Sequence, residues 1–530
     1  MGARIFYVYF IIGILVVGTV SSISYASGSV QTSRGGHKES LQQQSRDLEL
    51  LKDGAKVMTD NNQPSSPALS NIVTQFPPID DGNILKQGKV KTQGPGSSGT
   101  DIRVSNVIGL SPQNEPTVAI NPDSGGPLGD EQIVAGANDY RTGDSKCGVY
   151  VSSNNGASWQ DAGVLPGQFR AGDGAKLDVQ GDPVVRFARN GDAFYLCMAF
   201  SRTTNEEEGK GSIFLSRSTD KGLTWSDPLG VRKATTGEFN DKPWLAIDTF
   251  SDSPFRDNIY ACWSQFADSG VTVNFARSTT FGKSFKPQII LSNTISAYCA
   301  MDVGPDGTVY VAWIDFSTTP EQLVVRKSTD GGATFGNLVK VSDVFSIQGS
   351  LPNNSFRVGT LPDMATARNG DVHIVWADDR FRSSGHGSDV LIASSTDEGN
   401  TWTVRVVNSQ DTTNTDQFDP TIDIGYEPTG KGTTMTKNVG TIHVFYYDKK
   451  YATTPANTLI DVTEAHSHSR ATDTFSLTRV TDTSMDCRGV FFMGDYIDTS
   501  VNKFNRGVWT DCRNRATSGT DIFSDTVSPS

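Results

Sequence analysis

The sequence predicts an all-β chain, a β-propeller of four-stranded antiparallel blades with seven blades favoured and six as the runner-up, and three observations predict it. An eight-residue pattern, Ser-x-Asp-x-Gly-x-Thr-Trp in its fullest form, recurs five times at wide intervals: Ser152 to Trp159, Ser218 to Trp225, Ser278 to Phe285, Ser328 to Phe335 and Ser395 to Trp402. Most copies follow an apolar strand closed by a polar tip, as in Thr308 to Asp315 and Val372 to Arg380. Ahead of that strand stands an anchor, usually an acid next to a proline, that opens a further short apolar strand. Periods of about 40 to 70 residues are a signature of propellers and arrays.

Each part of the pattern suits a tight hairpin turn. The Ser hydroxyl and Asp carboxylate bond backbone N–H groups two residues on, the Gly supplies positive φ, and the closing aromatic returns to the core. Five unrelated turns would not repeat at this spacing. The pattern is that of the Asp-box, or BNR repeat, and the chain resembles the sialidase-like propellers that carry it, over roughly residues 110 to 525.

The anchors are Glu115-Pro116, Asp182-Pro183, Asp241-Lys242-Pro243, Pro362-Asp363 and Asp419-Pro420, with Cys299 to Asp302 and Gly494-Asp495-Tyr496 in the equivalent places of two other units. These make seven. The sixth unit keeps a worn turn, Ser469 to Phe475, and the seventh lacks both turn and fourth strand. Residues Ile102 to Val107 are placed to supply that strand and close the ring, removing free sheet edges.

The chain has 530 residues, and its 52 Gly suit a turn-dense β protein. A net charge of −13 argues against nucleic acid or an anionic membrane surface as partner. Arg4, the apolar run Ile5 to Val20 and the small-residue site Ser24-Tyr25-Ala26 read as a signal peptide cleaved after Ala26, or as an uncleaved anchor, the only membrane contact expected. Residues 27–100, rich in Ser, Gln, Gly and Asn, read as a flexible tether with room for one short helix near 45–57. The propeller is expected over 101–530, as a monomer, secreted or on the outer face of the cell envelope.

Six cysteines suit an oxidising compartment. Neighbouring strands allow Cys147 with Cys197, Cys262 with Cys299, and Cys487 with Cys512.

The repeat turns lie on one face of a propeller, and the anchors and strand tips on the other. Glu115, Asp182, Asp241, Asp419 and Asp495 therefore gather near the axis, with Asp363 a further candidate. Arg141, Arg380, Lys449, Lys450 and Arg513 come from the tips. Close carboxylates must bind a cation, pair with Arg or Lys, or hold a proton. A glycosidase uses such a set as one protonated acid and one anionic partner. The alternative is structural: these anchors cap the inner strands and tie blades together.

The resemblance implies six blades, three arginines clamping the substrate carboxylate, an Asp acid/base and a Tyr nucleophile activated by a Glu. The Arg-Ile-Pro motif that usually carries one arginine is missing. By region, Tyr496 beside Asp495 matches the nucleophile, and Arg141, Arg380 and Arg513 match the clamp. Asp248, Asp252 and Asp257 form an acidic loop that could hold Ca²⁺ through oxygen ligands or stay solvated; no other cofactor is required. His466 and His468 are read as surface residues rather than zinc ligands. No Ser-His-Asp order, phosphate loop or nucleotide fingerprint stands out.

Two functions follow: a sialidase-like glycoside hydrolase acting on a glycan or glycoconjugate, or a non-catalytic propeller presenting its acidic face to a glycan, a protein or a metal ion.

Overall fold

The computed structural model describes residues 100–105, 111–124, 129–201, 210–267, 269–347, 349–381, 387–425, 440–451, 458–467, 474–502 and 504–527. The signal segment, the tether with its short helix, His468 and most of the worn turn lie outside them. The described residues form seven four-stranded antiparallel blades.

Blades one to seven have as inner strands Gln113–Ile120, Val179–Phe187, Glu238–Ile247, Ser296–Val303, Asp363–Thr366, Gln417–Gly425 and Asp498–Val501. In the first six, chain order runs outward from the axis. In the seventh, the outer strand is Ile102–Arg103, paired with Phe523 and Ser524, and the Val104 amide extends the pairing to the Ile522 carbonyl. The N-terminal strand thus closes the ring, with Ile102 and Arg103 in strand, while Asn106 and Val107 lie outside the described residues.

The five repeat turns join third to fourth strands and share one bonding scheme. The Ser hydroxyl accepts from the Gly amide four residues on, at 2.8 Å from Gly222 to Ser218 and 2.8 Å from Gly399 to Ser395. Asp220 accepts from both the amide and the hydroxyl of Thr224, at 2.9 and 2.6 Å. The Ser hydroxyl also accepts from the amide two residues on, as expected, at 3.4 Å from Asp220 to Ser218, and the Gly amide and the Asp carboxylate extend the reach to four residues. That reach requires successive residues at positive φ, such as Lys221 (65°) and Gly222 (90°). A Cβ on Gly222 would stand 2.4 Å from Cγ2 of Val134 in blade one, so the turn also seats one blade on its neighbour.

Cys147–Cys197 links blades one and two, Cys262–Cys299 links blades three and four, and Cys487–Cys512 pins the loop entering blade seven.

Side-chain acceptors cross every blade junction near the axis. An inner strand is a sheet edge, and its outward amides need partners. Thr117 Oγ1 accepts from Val185, Asp182 from the Lys242 amide, and Ser264 from Tyr298. Asp302 accepts from Thr366, Asp363 from Ile422, Asp423 from Val501, and Asp498 from Val118. Asp498 also holds the Thr117 hydroxyl at 2.8 Å and Arg186 at 3.2 Å. Replacing Asp498 with Ala strips the partner from an amide and a hydroxyl at the junction between the last and first blades. The expected loss is about 3 kcal/mol of unfolding free energy, read as a lower denaturant midpoint. An unchanged midpoint would show that the clasp carries no load.

Candidate functional site

The site is built by a backbone irregularity that recurs on the inner strands. In blades one, two, three, four and six the pairing register slips around a bulge, where Glu115, Asp182, Lys242, Tyr298 and Asp419 take φ of 47 to 63°. Proline follows in four of the five and Cys299 in the other. Proline removes a donor from the edge, and the bulge re-aims the side chain before it. In these five blades the anchors lie within their strands rather than opening them, whereas Asp363 opens the inner strand of blade five as expected and Asp495 precedes that of blade seven. Carried through the registers of blades five and seven, the same position falls on Leu361 and Tyr496.

In blade three, Lys242 and not Asp241 holds the bulge position, and Asp241 precedes it. The ring thus carries a lysine among its acids.

A pocket opens on this face, enclosing about 560 Å³ including its mouth. Glu115, Asp182, Asp241, Asp495, Lys242 and Arg357 supply its charged lining. Its walls include Phe200, Phe239, Tyr298 and Phe492. The Asp182 carboxyl lies close enough to those of Glu115 and Asp241 to interact with both, so three carboxyls stand together. Glu115, 3% exposed, also accepts from Asn138 at 2.6 Å and from the Asp495 amide at 3.1 Å. Arg357 grips Asp495 through two hydrogen bonds of 2.8 and 2.5 Å and lies over Phe492.

Burial, followed by the charge of Asp182, pushes both Glu115 and Asp241 well above the usual carboxylate range. Asp419 is raised by burial and then by Asp495. Burial lowers the Lys242 amine, and Asp182, Glu115, Asp495 and Asp363 oppose that shift. Lys242 Nζ lies 3.5 Å from the centre of the Tyr496 ring and 4.9 Å from that of Trp244, and has no hydrogen-bond partner among the described residues.

Of the expected site residues, the structure brings Glu115, Asp182, Asp241 and Asp495 to the pocket. Asp419 and Tyr496 stand on the same ring without lining it. The Tyr496 hydroxyl is buried, lacks a hydrogen-bond partner among the described residues, and is pushed well up by burial and the nearby carboxylates. That is opposite to the activation a nucleophile needs.

The three expected clamp arginines do not meet. Arg141 pairs with Asp139 and Asp161, Arg380 with Asp378, and Arg513 with Asp101, Asp482 and Asp511. Each closes a local motif in which the tip acid binds the arginine two residues on. In two of them Trp376 or Trp509 donates to the same acid from two residues before, at 2.9 and 3.0 Å. Lys450 pairs likewise with Asp448, and Lys449 bonds Asn354.

Asp248, Asp252 and Asp257 do not converge as cation ligands. Asp248 accepts from Ser253 and the Phe250 amide, Asp257 pairs with Arg256 at 3.6 Å, and Asp252 is exposed. Among the described residues no group of three His, Cys, Asp or Glu side chains is placed to hold a metal ion. His466 is half-buried rather than at the surface and bonds Glu464 at 3.1 Å, which His443 meets at 2.8 Å.

Arg357 and Lys242 were missed. Arg357 lies in the longest stretch between a repeat turn and the next inner strand, an excess visible in the spacing. Lys242 is the residue directly before its proline, as Glu115, Asp182 and Asp419 are before theirs.

No protein-family model and no curated protein matches the chain. Similar solved structures include a protein of unknown function from Dyadobacter fermentans DSM 18053, at 13% identity and TM-score 0.43, covering 82% of this chain and 100% of that one. A Hadza microbial sialidase matches at 14% identity and TM-score 0.42, covering 77% of this chain and 74% of that one. The Penicillium chrysogenum α-L-arabinanase complexed with arabinobiose matches at 14% identity and TM-score 0.40, covering 66% of this chain and 94% of that one. Likenesses this distant carry no argument about activity.

Buried acids, near the axis and beside the outer strand of blade seven, make stability depend on pH. Asp363 is pushed up to about 6 and Asp423 to about 7, by burial first in both, and Asp101 to about 8 by burial and then by its bond to Asp482. An unfolded Asp titrates near ~3.9, so these groups hold protons more tightly when folded. Their destabilising effect is full above the folded value and is relieved as pH falls toward the unfolded one. His373, lowered to about 4 by burial, opposes this below its unfolded value, one group against at least three. Unfolding temperature is therefore expected to rise from pH 8 to pH 5, and Asp423→Asn to flatten the rise. A fall over that window contradicts the assignment.

Proposed function

We propose that the chain is an exported glycoside hydrolase that takes one sugar unit of a glycan into the axial pocket. The observation that carries this reading is the carboxyl cluster of Glu115, Asp182 and Asp241 in a pocket that Phe200, Phe239, Tyr298 and Phe492 also line. Aromatic faces suit the apolar face of a sugar ring, and the carboxyls suit cleavage of its glycosidic bond. Glycosidase carboxyl pairs work about 5 to 9 Å apart. We assign the pair to Glu115 and Asp241, the two carboxyls that each interact with Asp182. One gives its proton to the leaving oxygen, and the other, once ionised, supports the positive charge developing on the sugar ring or activates water. Arg357 keeps Asp495 fixed beside them.

The finer, sialidase-type version uses Tyr496 as nucleophile. Its support is the place of Tyr496 on the ring; against it stand its buried hydroxyl and the arginines committed elsewhere. A second reading, a non-catalytic glycan-binding propeller, is favoured by one observation: Glu115 and Asp182 already have backbone and side-chain partners in the blade clasps.

The test is hydrolysis of a panel of fluorogenic glycosides, a sialoside included, by the full chain. Asp241→Asn is expected to lower kcat by about 10²-fold or more, with Tyr496→Phe and Arg141→Ala within about tenfold of the parent. Loss of activity in Tyr496→Phe alone would move the chemistry to the tyrosine. An inactive parent across the panel would favour the binding reading.

A further inference from the structure

We propose that the axial pocket selects a protonated amine, that of a 2-amino-2-deoxy sugar, with the ammonium among Glu115, Asp182 and Asp241 and a ring hydroxyl accepting from Lys242. The sugar part rests on the glycan reading above; the amine part rests on charge and geometry alone.

The pocket is short of positive charge. Four carboxyls, those of Glu115, Asp182, Asp241 and Asp495, line it against two cations, Lys242 and the Arg357 that grips Asp495 through two hydrogen bonds and also acts on Glu115 and Asp241. Carboxyls this close together cannot all ionise. In the empty pocket protons make up the deficit, and a ligand cation can replace one of them. An acidic sugar would deepen the deficit, which separates this inference from a sialidase-type substrate.

The cation that fits is organic. No group of three potential metal ligands is placed to hold an ion among the described residues. Phe200, Phe239, Tyr298 and Phe492 line the pocket instead, and aromatic side chains attract an ammonium and cover a sugar ring.

Lys242 adds a second, independent requirement. It lines the pocket, is 6% exposed, and its Nζ lacks an acceptor among the described residues. A buried ammonium without a hydrogen bond is costly. A simple diamine brings no oxygen to it, whereas a sugar hydroxyl does. The ligand that answers both features carries a positive nitrogen and neutral oxygens on one ring.

The test is calorimetric titration of the full chain at pH 6 with glucosamine, glucose, N-acetylglucosamine and putrescine, in two buffers of different ionisation enthalpy. Glucosamine is expected to bind at least about tenfold tighter than glucose or N-acetylglucosamine, with up to about one proton released per ligand, and tighter than putrescine. Asp241→Asn, checked for an unchanged far-ultraviolet spectrum, should reduce both the affinity and the proton release. Lys242→Met should narrow the preference for glucosamine over putrescine. Equal or tighter binding of N-acetylglucosamine, or binding without proton release, overturns the amine site on the parent protein alone; putrescine binding as tightly as glucosamine overturns the sugar part. Hydrolysis of neutral glycosides without amine selectivity would leave the hydrolase reading standing and sink this one. Amine binding with proton release and no hydrolysis would do the reverse.

Discussion

A backbone amide on the inner edge of one blade, taken up by a side-chain oxygen of the blade before it, is the interaction on which the rest of the structure depends. Seven blades have seven inner edges, each with donors that the blade's own sheet does not use. The chain meets this with Thr117, Asp182, Ser264, Asp302, Asp363, Asp423 and Asp498, one at each junction. Five of the seven are acids. A carboxylate accepts several bonds at once, as Asp498 does from Thr117, Val118 and Arg186.

That choice has an electrostatic consequence. Acids that clasp inner strands are buried near the axis, where water does not screen them, so burial is the leading cause of the upward shifts at Asp302, Asp363 and Asp423. At the open end the same logic places Asp182 beside Glu115 and Asp241. Structural and chemical readings of the acid anchors therefore do not compete: Asp182 ties blade two to blade three through the Lys242 amide and also stands in the carboxyl cluster. The bulges at positive φ do both jobs, breaking the edge and turning the side chain before the proline inward.

Much of this was legible in the sequence because it is repeated. The turns, the count of seven, closure by the N-terminal strand and all three disulfides follow from patterns that recur or from neighbouring strands. The face shared by the anchors was legible for the same reason. What failed was legibility of partners. Arg141, Arg380 and Arg513 were placed on the right strand tips, yet each is captured by the acid two residues before it, a local bond that outcompetes reaching across to a common point. Lys242, which lines the pocket beside Asp241, is hidden by its acid neighbour although its spacing to the proline matches that of Glu115, Asp182 and Asp419. Arg357 belongs to an inserted loop, where no repeat supplies a register, and only the excess length hinted at it. Asp248, Asp252 and Asp257 are close in sequence but are divided among local donors, a salt bridge and solvent.

The central claim is that the clasp geometry forces carboxyls at the axis to share protons. Neutron diffraction from deuterated crystals near pH 6 tests it most directly. The account predicts deuterium between Asp182 and at least one of Glu115 and Asp241, with the Lys242 amide donating to Asp182. Three carboxyls all free of deuterium would contradict it, and the acid chemistry assigned to the pocket would lose its basis.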